Sequence, residues 1–408
     1  MNYTTVALAL ALPQVAFILD LQTLYEKFCL LRDHRYARGL RYPLPVIALI
    51  ALLAKFAGQD SFQAISDWAK AHQAELVQLL GLKRERMPHP ATFSRVLGDK
   101  VEVNELEKVI SDYFKEQLSG EIPARGSLTL SIDGKTLRGT IKAGAKQGVH
   151  LMAAYLPQKG IVVAQLEVGI KTNEITAAPK LLKMVDLRGI VVTGDAMQAQ
   201  KGLSVQVVTD RGDYLWMVKA NQAGLLGEIE QLFEPMEWGA GFSEPTLEIQ
   251  SHSTYDYDHA RTEKRTIWVS SELASYSYWP HLSQVFKLER EWIEWGKGEG
   301  EVKREVRYGI TSLPKQVAGP ARLMEIARQE WGIENSLHWV RDVTFNEDHS
   351  QVRRGGAPEV LALLNNLVIG TLHVRGKPNV RGKPNVAKAR REWGFAFSRA
   401  LFSKFALP

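Results

Sequence analysis

Apolar residues recur at helical spacing through "YPLPVIALIALLAKFAGQDSFQAISDWAKAHQAELVQLLGL", so the stretch from about residue 15 to 118 is predicted to be helical. Ser61, just ahead of "FQAISDWA", suits an N-cap, and Gly81 suits a helix stop. In "PHPATFSRVLG", Pro90 and Thr92 stand near the start of another short helix. "SGEIPARGS" (Ser119–Ser127) reads as a linker, and beyond it the pattern changes. "SLTLSID", "HLMAAYLP" and "GIVVAQLEVG" read as three strands with turns between them. "EITAAPKLLKMVDL" reads as a helix, "GIVVTGDAM" as a short apolar strand ending at Asp195, "QAQKGLSVQVVTDRG" as a helix and "DYLWMVKA" as a strand. Three antiparallel-type strands followed by strand–helix alternation predict an α/β fold with helices on the faces of a mixed sheet.

Residues 222–305 break that rhythm with strand-like segments, and read as a β-rich insertion between the fifth strand and the final core helix. From Pro320 the spacing predicts one long helix, "PARLMEIARQEWGIENSLHWVRDVTF". Glu334, His338 and Arg341 fall at i, i+4 and i+7, which on an α-helix puts them on one stripe. "RGKPNVRGKPNV" (Arg375–Val386) is a perfect tandem hexapeptide, read as a loop duplication.

Composition adds little to the fold but narrows the chemistry. The chain has 408 residues, 45% of them hydrophobic and ten of them tryptophan, enough for two or three packed domains. A single cysteine, Cys29, rules out an internal disulfide and a cysteine-rich zinc site, and fits a reducing, cytoplasmic setting. The apolar stretch Val6–Leu19 contains Pro13, is too short to span a bilayer and lacks a basic start, so no membrane role is expected. Net charge is +6, unevenly spread: from Gln351 onward 11 Lys+Arg face 2 Asp+Glu, giving +9 and leaving −3 for the rest. A basic tail on a near-neutral body points to a polyanion such as nucleic acid, or serves solubility alone.

Three carboxylates sit awkwardly. Asp133 ends one strand, Asp195 ends another, and Glu334 lies mid-helix among large apolar residues. Each has an ordinary explanation alone: a turn at Asp133-Gly134, a helix cap at Asp195, an ion pair of Glu334 with Arg341 or Arg328. If the three converge, their mutual repulsion calls for a cation, and oxygen ligands suit Mg²⁺ or Mn²⁺. Such ions activate a water or hydroxyl and stabilise the leaving oxygen of a phosphodiester.

The stretches "SIDGKTLRGT", "KTNEITAAPKLL", "TGDAMQAQ", "VKANQ" and "WGIENSLHWVRDVTFNED" resemble the insertion-sequence transposases of the DDE class, in the ISAs-type or H-repeat-associated branch. The resemblance runs from roughly Leu21 to His373 and takes in "RGLRYPL", "AGQDSFQAI" and "TFSRVL". It implies an RNase H-like catalytic core with a β-rich insertion, and an acidic triad on Asp133, Asp195 and Glu334 that holds the metal. This chain departs from the family at three places. Glu330 stands where the family has His, Arg341 where Leu is usual, and Asp258-His259-Ala260-Arg261 where Gly-His-Gly-Arg is usual. Glu330, one turn before Glu334, is placed to compete for the metal.

The expected organisation is a helical DNA-binding region over 1–118, a catalytic domain over 119–373 and a basic tail over 374–408. Lys135, Arg138, Lys219, Arg261, Arg341, Arg390 and Arg391 are expected to contact DNA phosphates, which position DNA without reading its sequence. His338 and Arg328 are expected to support the glutamate, Asn221 and Gln222 to stabilise a turn, and Trp331 and Trp339 to lie in the core. The expected function is a transposase that cuts element ends and joins the 3′-hydroxyl to target DNA, acting as a homodimer on DNA. A nuclease of the same core without strand transfer, and an inactive DNA-binding relic, are the alternatives.

Overall fold

The computed structural model describes residues 20–37, 40–118, 122–169, 172–234, 247–258, 261–294, 302–375 and 384–405. Most of the hexapeptide repeat, the Val6–Leu19 stretch and His259-Ala260 lie outside the described residues. In chain order the helical region holds α1 (Leu21–Cys29), α2 (Leu44–Phe56), α3 (Phe62–Ala71), α4 (Gln73–Leu80), α5 (Pro90–Asp99) and α6 (Val103–Gln117). There follow β1 (Leu128–Thr136), β2 (His150–Leu156), β3 (Ile161–Glu167), α7 (Glu174–Leu182), β4 (Ile190–Gly194), α8 (Lys201–Thr209), β5 (Asp213–Val218) and α9 (Ala223–Phe233). The chain continues with β6 (Ile249–Asp258), β7 (Arg261–Ser270), β8 (Gln284–Glu294), β9 (Lys303–Thr311), α10 (Pro320–Glu330), α11 (Ala357–Arg375) and α12 (Val386–Phe405).

These elements form two compact units that interleave along the chain. The first comprises residues 1–120, 134–172 and 334–408, and the second residues 121–133 and 173–333.

In the first unit, α2 and α11 are the core helices. Every residue of α2 except Pro45 is buried, because "LPVIALIALLAKF" is apolar all round. The window Ala357–Val374 of α11 is long and apolar enough to cross a membrane, but it is 83% buried, packed against α2, α5, α6 and β3. Local signals behave as the sequence predicts. Ser61 accepts the Ala64 N–H at 3.1 Å to cap α3, and Gly81 closes α4 in the left-handed conformation (φ +58°). β2 and β3 pair antiparallel, and Thr136 Oγ1 at the end of β1 meets His150 Nδ1 of β2 at 2.8 Å.

In the second unit the strand order is β1-β4-β5-β9-β8-β7-β6. β1, β4 and β5 are parallel, and β9 turns back antiparallel on β5. The β-rich stretch is therefore no separate module: β6 to β9 extend the same sheet. It also opens with a helix, α9, where the sequence pattern led us to expect strands. The apolar face of α10 (Leu323, Met324, Ile326, Ala327) packs into one core with Val191, Leu215 and Met217 and with Ile267, Val269, Phe286 and Leu288 of the extension. The stretch before β1 is pinned rather than loose. Arg125 pairs with Asp213 at 2.8 Å, and Arg322 donates to the Gly126 and Ser127 carbonyls.

The predicted long helix does not persist. α10 ends at Glu330, and Glu334–His338 and Val340–Thr344 adopt π-helical turns. A π turn brings residue i+5, not i+4, back to the same face. Arg341 thus leaves the stripe of Glu334: Glu334 is exposed while Arg341 is fully buried.

Candidate active site

The second unit places two of the expected carboxylates side by side. β1 and β4 run parallel with Ile132 opposite Gly194, so Asp133 and Asp195 take the next positions on neighbouring strands. Asp195 follows the last residue of β4, but β1 runs on through Gly134 and Lys135 to Thr136, so Asp133 does not end its strand as expected. Apolar residues fill both strands behind them: Leu130 and Ile132 in one, Ile190, Val191 and Val192 in the other. Asp195 is well exposed; its Oδ1 accepts the Ala196 N–H at 2.6 Å, so it caps the 3-10 turn Ala196–Gln198. The same Oδ1 receives the Lys219 ammonium at 3.2 Å. Asn221 and Gln222 donate to the Ala196 and Ala199 carbonyls at 2.8 and 3.0 Å, which fixes the loop after Asp195 as the turn reading expected.

Glu330 is the last residue of α10. Ser131 donates its hydroxyl to the Gln329 carbonyl at 3.2 Å, tying the last turn of α10 to β1 two residues before Asp133. Burial pushes the Glu330 carboxyl up to about 8; the Arg307 and Lys219 charges oppose that rise, and those of Asp195 and Asp133 add to it. Its Oε2 is sealed from solvent and has no hydrogen-bond partner. Among the described residues, no three His, Cys, Asp or Glu side chains stand together as a ready-made ligand set. The donors present are nonetheless all carboxylate oxygens, and one is a buried orphan. That chemistry fits a hard divalent cation of the Mg²⁺ or Mn²⁺ type.

The arginines of the second unit are largely committed to carboxylates and rings. Glu263 is buried under Arg261 (2.9 Å), Arg265 and Arg290 (2.8 Å). Arg307 bonds Glu305 and lies 4.3 Å from the Trp331 ring centroid. Arg328 pairs with Asp256 at 3.0 Å, not with Glu334.

Glu334 and His338 belong to the first unit, Glu334 exposed and His338 buried in the same π turn. Several expected DNA contacts are corrected there. Arg341 is wholly buried, bonded to Glu347 at 2.8 Å and reaching Gln165 at 3.5 Å. Arg390 is also buried: it forks onto Asp60 at 2.7 and 2.8 Å and donates to the Lys55 and Thr344 carbonyls. A guanidinium enclosed in this way cannot meet a phosphate. Lys135 is nearly as enclosed, between Asp342 (2.5 Å) and Asp348 (3.4 Å). Arg138 and Arg391 are exposed, as expected of phosphate contacts. Trp339 is 56% exposed instead of lying in the core.

Sequence reasoning named Glu330 only as a competitor and passed over Arg307. The signal for Glu330 was its departure from the family pattern; Arg307 carries no local motif and is recognised only by its cross-strand place.

Comparison with known proteins agrees with the resemblance. Residues 124–369 match the family model described as Transposase DDE domain, and residues 25–114 the one described as DDE_Tnp_1-associated. The chain is 30% identical to "Putative transposase YncI" of Escherichia coli O157:H7, over 87% of this chain and 88% of that protein. It is 28% identical to "H repeat-associated putative transposase YhhI" of Escherichia coli (strain K12), over 87% of this chain and 91% of that protein. A cryo-EM structure of a piggyBac transposase synaptic complex with hairpin DNA aligns with 97% of this chain and 79% of its own, at 12% identity and a TM-score of 0.42. With a family model spanning most of its length and relatives matched nearly end to end, the chain belongs to the DDE transposase family.

Proposed function

We propose that this protein cuts DNA at the ends of a mobile element by metal-assisted phosphodiester hydrolysis and joins the freed 3′-hydroxyl to target DNA. The observation that carries the reading is the placement of Asp133 and Asp195 at matching positions of adjacent parallel strands, within a chain of this family. The resemblance adds Glu334 to their role.

A divalent cation, when bound, supplies an activated oxygen nucleophile and neutralises charge on the phosphodiester. The chain's own residues do the rest. Asp133 is carried within β1, and Asp195, just past β4, is braced by the Ala196 N–H. Lys219 gives a cation beside them, suited to a phosphate oxygen once it leaves Asp195. The exposed Arg138 and Arg391 provide further phosphate contacts. A homodimer on DNA is the expected assembly, since an element has two ends to be joined.

The test is incubation of the full chain with DNA spanning the ends of its own element plus a second, unrelated duplex, with and without Mg²⁺. Cutting followed by covalent joining to the second duplex is expected. Cutting without joining would reduce the protein to a nuclease; binding without cutting would make it a relic.

A further inference from the structure

We propose that Trp339 is a stacking platform for an unpaired base of bound DNA, brought onto the face of Glu334 by the π-helical winding, with Val343 extending it and Arg138 receiving a neighbouring phosphate. The inference rests on the transposase reading and deepens it, because it names the part of the DNA that this segment of the first unit grips.

The winding sets the face. Glu334 and Trp339 stand five residues apart, with the π turns Glu334–His338 and Val340–Thr344 on either side of the tryptophan. An α-helix, at about 100° per residue, would carry Trp339 roughly 140° away from Glu334. A π turn returns residue i+5 to the same face instead, and such turns are frequent at functional sites. Glu334, Trp339 and Val343 are all exposed, while Leu337, His338 and Arg341 point inward and are buried. The ordinary explanation is a stray surface tryptophan, and apolar residues scattered singly on a surface are normal. Here two stand four residues apart, Trp339 56% and Val343 59% exposed, although the same segment sends Phe345 into the core at 2%.

Charge identifies the partner. Asp342, which lies between Trp339 and Val343 in the chain, holds Lys135 at 2.5 Å, and Lys135 also reaches Asp348 at 3.4 Å. Asp348 in turn meets the Arg138 guanidinium at 3.5 Å. These pairs fasten the Arg138–Thr140 turn to the π segment, and the Arg138 side chain stays 79% exposed. A wide apolar ring with an exposed cation tied to the same segment is the combination that holds single-stranded nucleic acid: the ring stacks on a base of any kind and the cation meets the backbone. In a paired duplex the faces of the bases are covered by their neighbours, so the platform serves only a base that has left the stack.

The experiment measures binding of the full chain, without added metal, to a fully paired duplex of the element end and to the same duplex with a single-stranded tail containing 2-aminopurine, whose fluorescence falls on stacking. Wild type should bind the tailed DNA more tightly and quench it. Trp339→Ala should lose roughly tenfold or more in affinity for the tailed DNA, lose the quenching, and bind the paired duplex as wild type does. Trp339→Phe, which keeps an aromatic ring, should retain most of both. Each variant should melt with wild type, because the side chain is exposed. Wild-type affinity and quenching in Trp339→Ala, or an equal loss on both DNAs, would overturn the platform and leave the transposase reading standing. A wild-type chain that binds neither DNA would overturn that reading and the platform with it.

Discussion

Arg390 carries the sharpest lesson at the scale of single residues. In the sequence it is one cation of a basic tail; in the fold it is the cation that Asp60 needs, 330 positions away in the chain. Replacing it with Ala strands a carboxylate and two carbonyls in a largely buried place, and should cost about 3 kcal/mol of stability in urea denaturation. Arg391→Ala, one residue on and exposed, should leave stability within about 0.5 kcal/mol. It should instead weaken DNA binding for every sequence alike and flatten its dependence on salt. Glu107 gives a residue-scale prediction for pH. Burial pushes its carboxyl up to about 7, against the lowering effects of the Gln165 N–H and the Lys115 charge. A carboxyl raised on folding contributes stability that is complete below its unfolded value of about 4.5 and is lost as pH rises through about 7. Wild type should therefore melt higher at pH 5 than at pH 8, and Glu107→Gln should narrow that gap. An unchanged gap would mean that Glu107 ionises freely in the fold.

Elements differ in how much the sequence reveals of them. The helix caps at Ser61 and Gly81, and the strand that stops just before Asp195, were legible because their signals are local: a capping side chain, a left-handed glycine, an apolar run cut short by a carboxylate. The end of β1 was not, since the strand runs three residues past Asp133. The continuity of β6–β9 with the parallel strands was not, because the pairing that creates it joins Leu215 to Thr311 and no local pattern encodes a partner that distant. The π turns after α10 were missed for a different reason: helical periodicity predicts 3.6 residues per turn, and no local pattern marks the wider turn in which Arg341 is buried. Gly309 is the weak point of the sheet extension. It sits in β9 opposite Met217 of β5 and Phe286 of β8. A Cβ there would come within 2.7 Å of the Trp216 carbonyl and closer still to the Phe286 ring. Gly309→Ala should cost about 2 kcal/mol or more by overpacking, read from denaturant melts. A melt like that of wild type would show that Phe286 is free to move aside.

For the molecule as a whole, the family was readable from motifs, while the partners of the charged residues were not. A basic composition marks a polyanion partner only through the cations that stay exposed, and six of the seven proposed phosphate contacts pair with the chain's own carboxylates, three of them (Lys135, Arg341 and Arg390) while buried. The central claim concerns Asp133 and Asp195, and it separates a functional carboxylate from a structural one. Each Asn variant keeps the side chain's shape while removing a charge that repels its neighbours, so each should melt at or slightly above the wild-type temperature when no metal is added. The most direct measurement is Mg²⁺-dependent cleavage of element-end DNA by wild type, Asp133→Asn and Asp195→Asn, on preparations whose melts have been compared. The account predicts cleavage by wild type and none by either folded variant; cleavage near the wild-type rate by either one would contradict it.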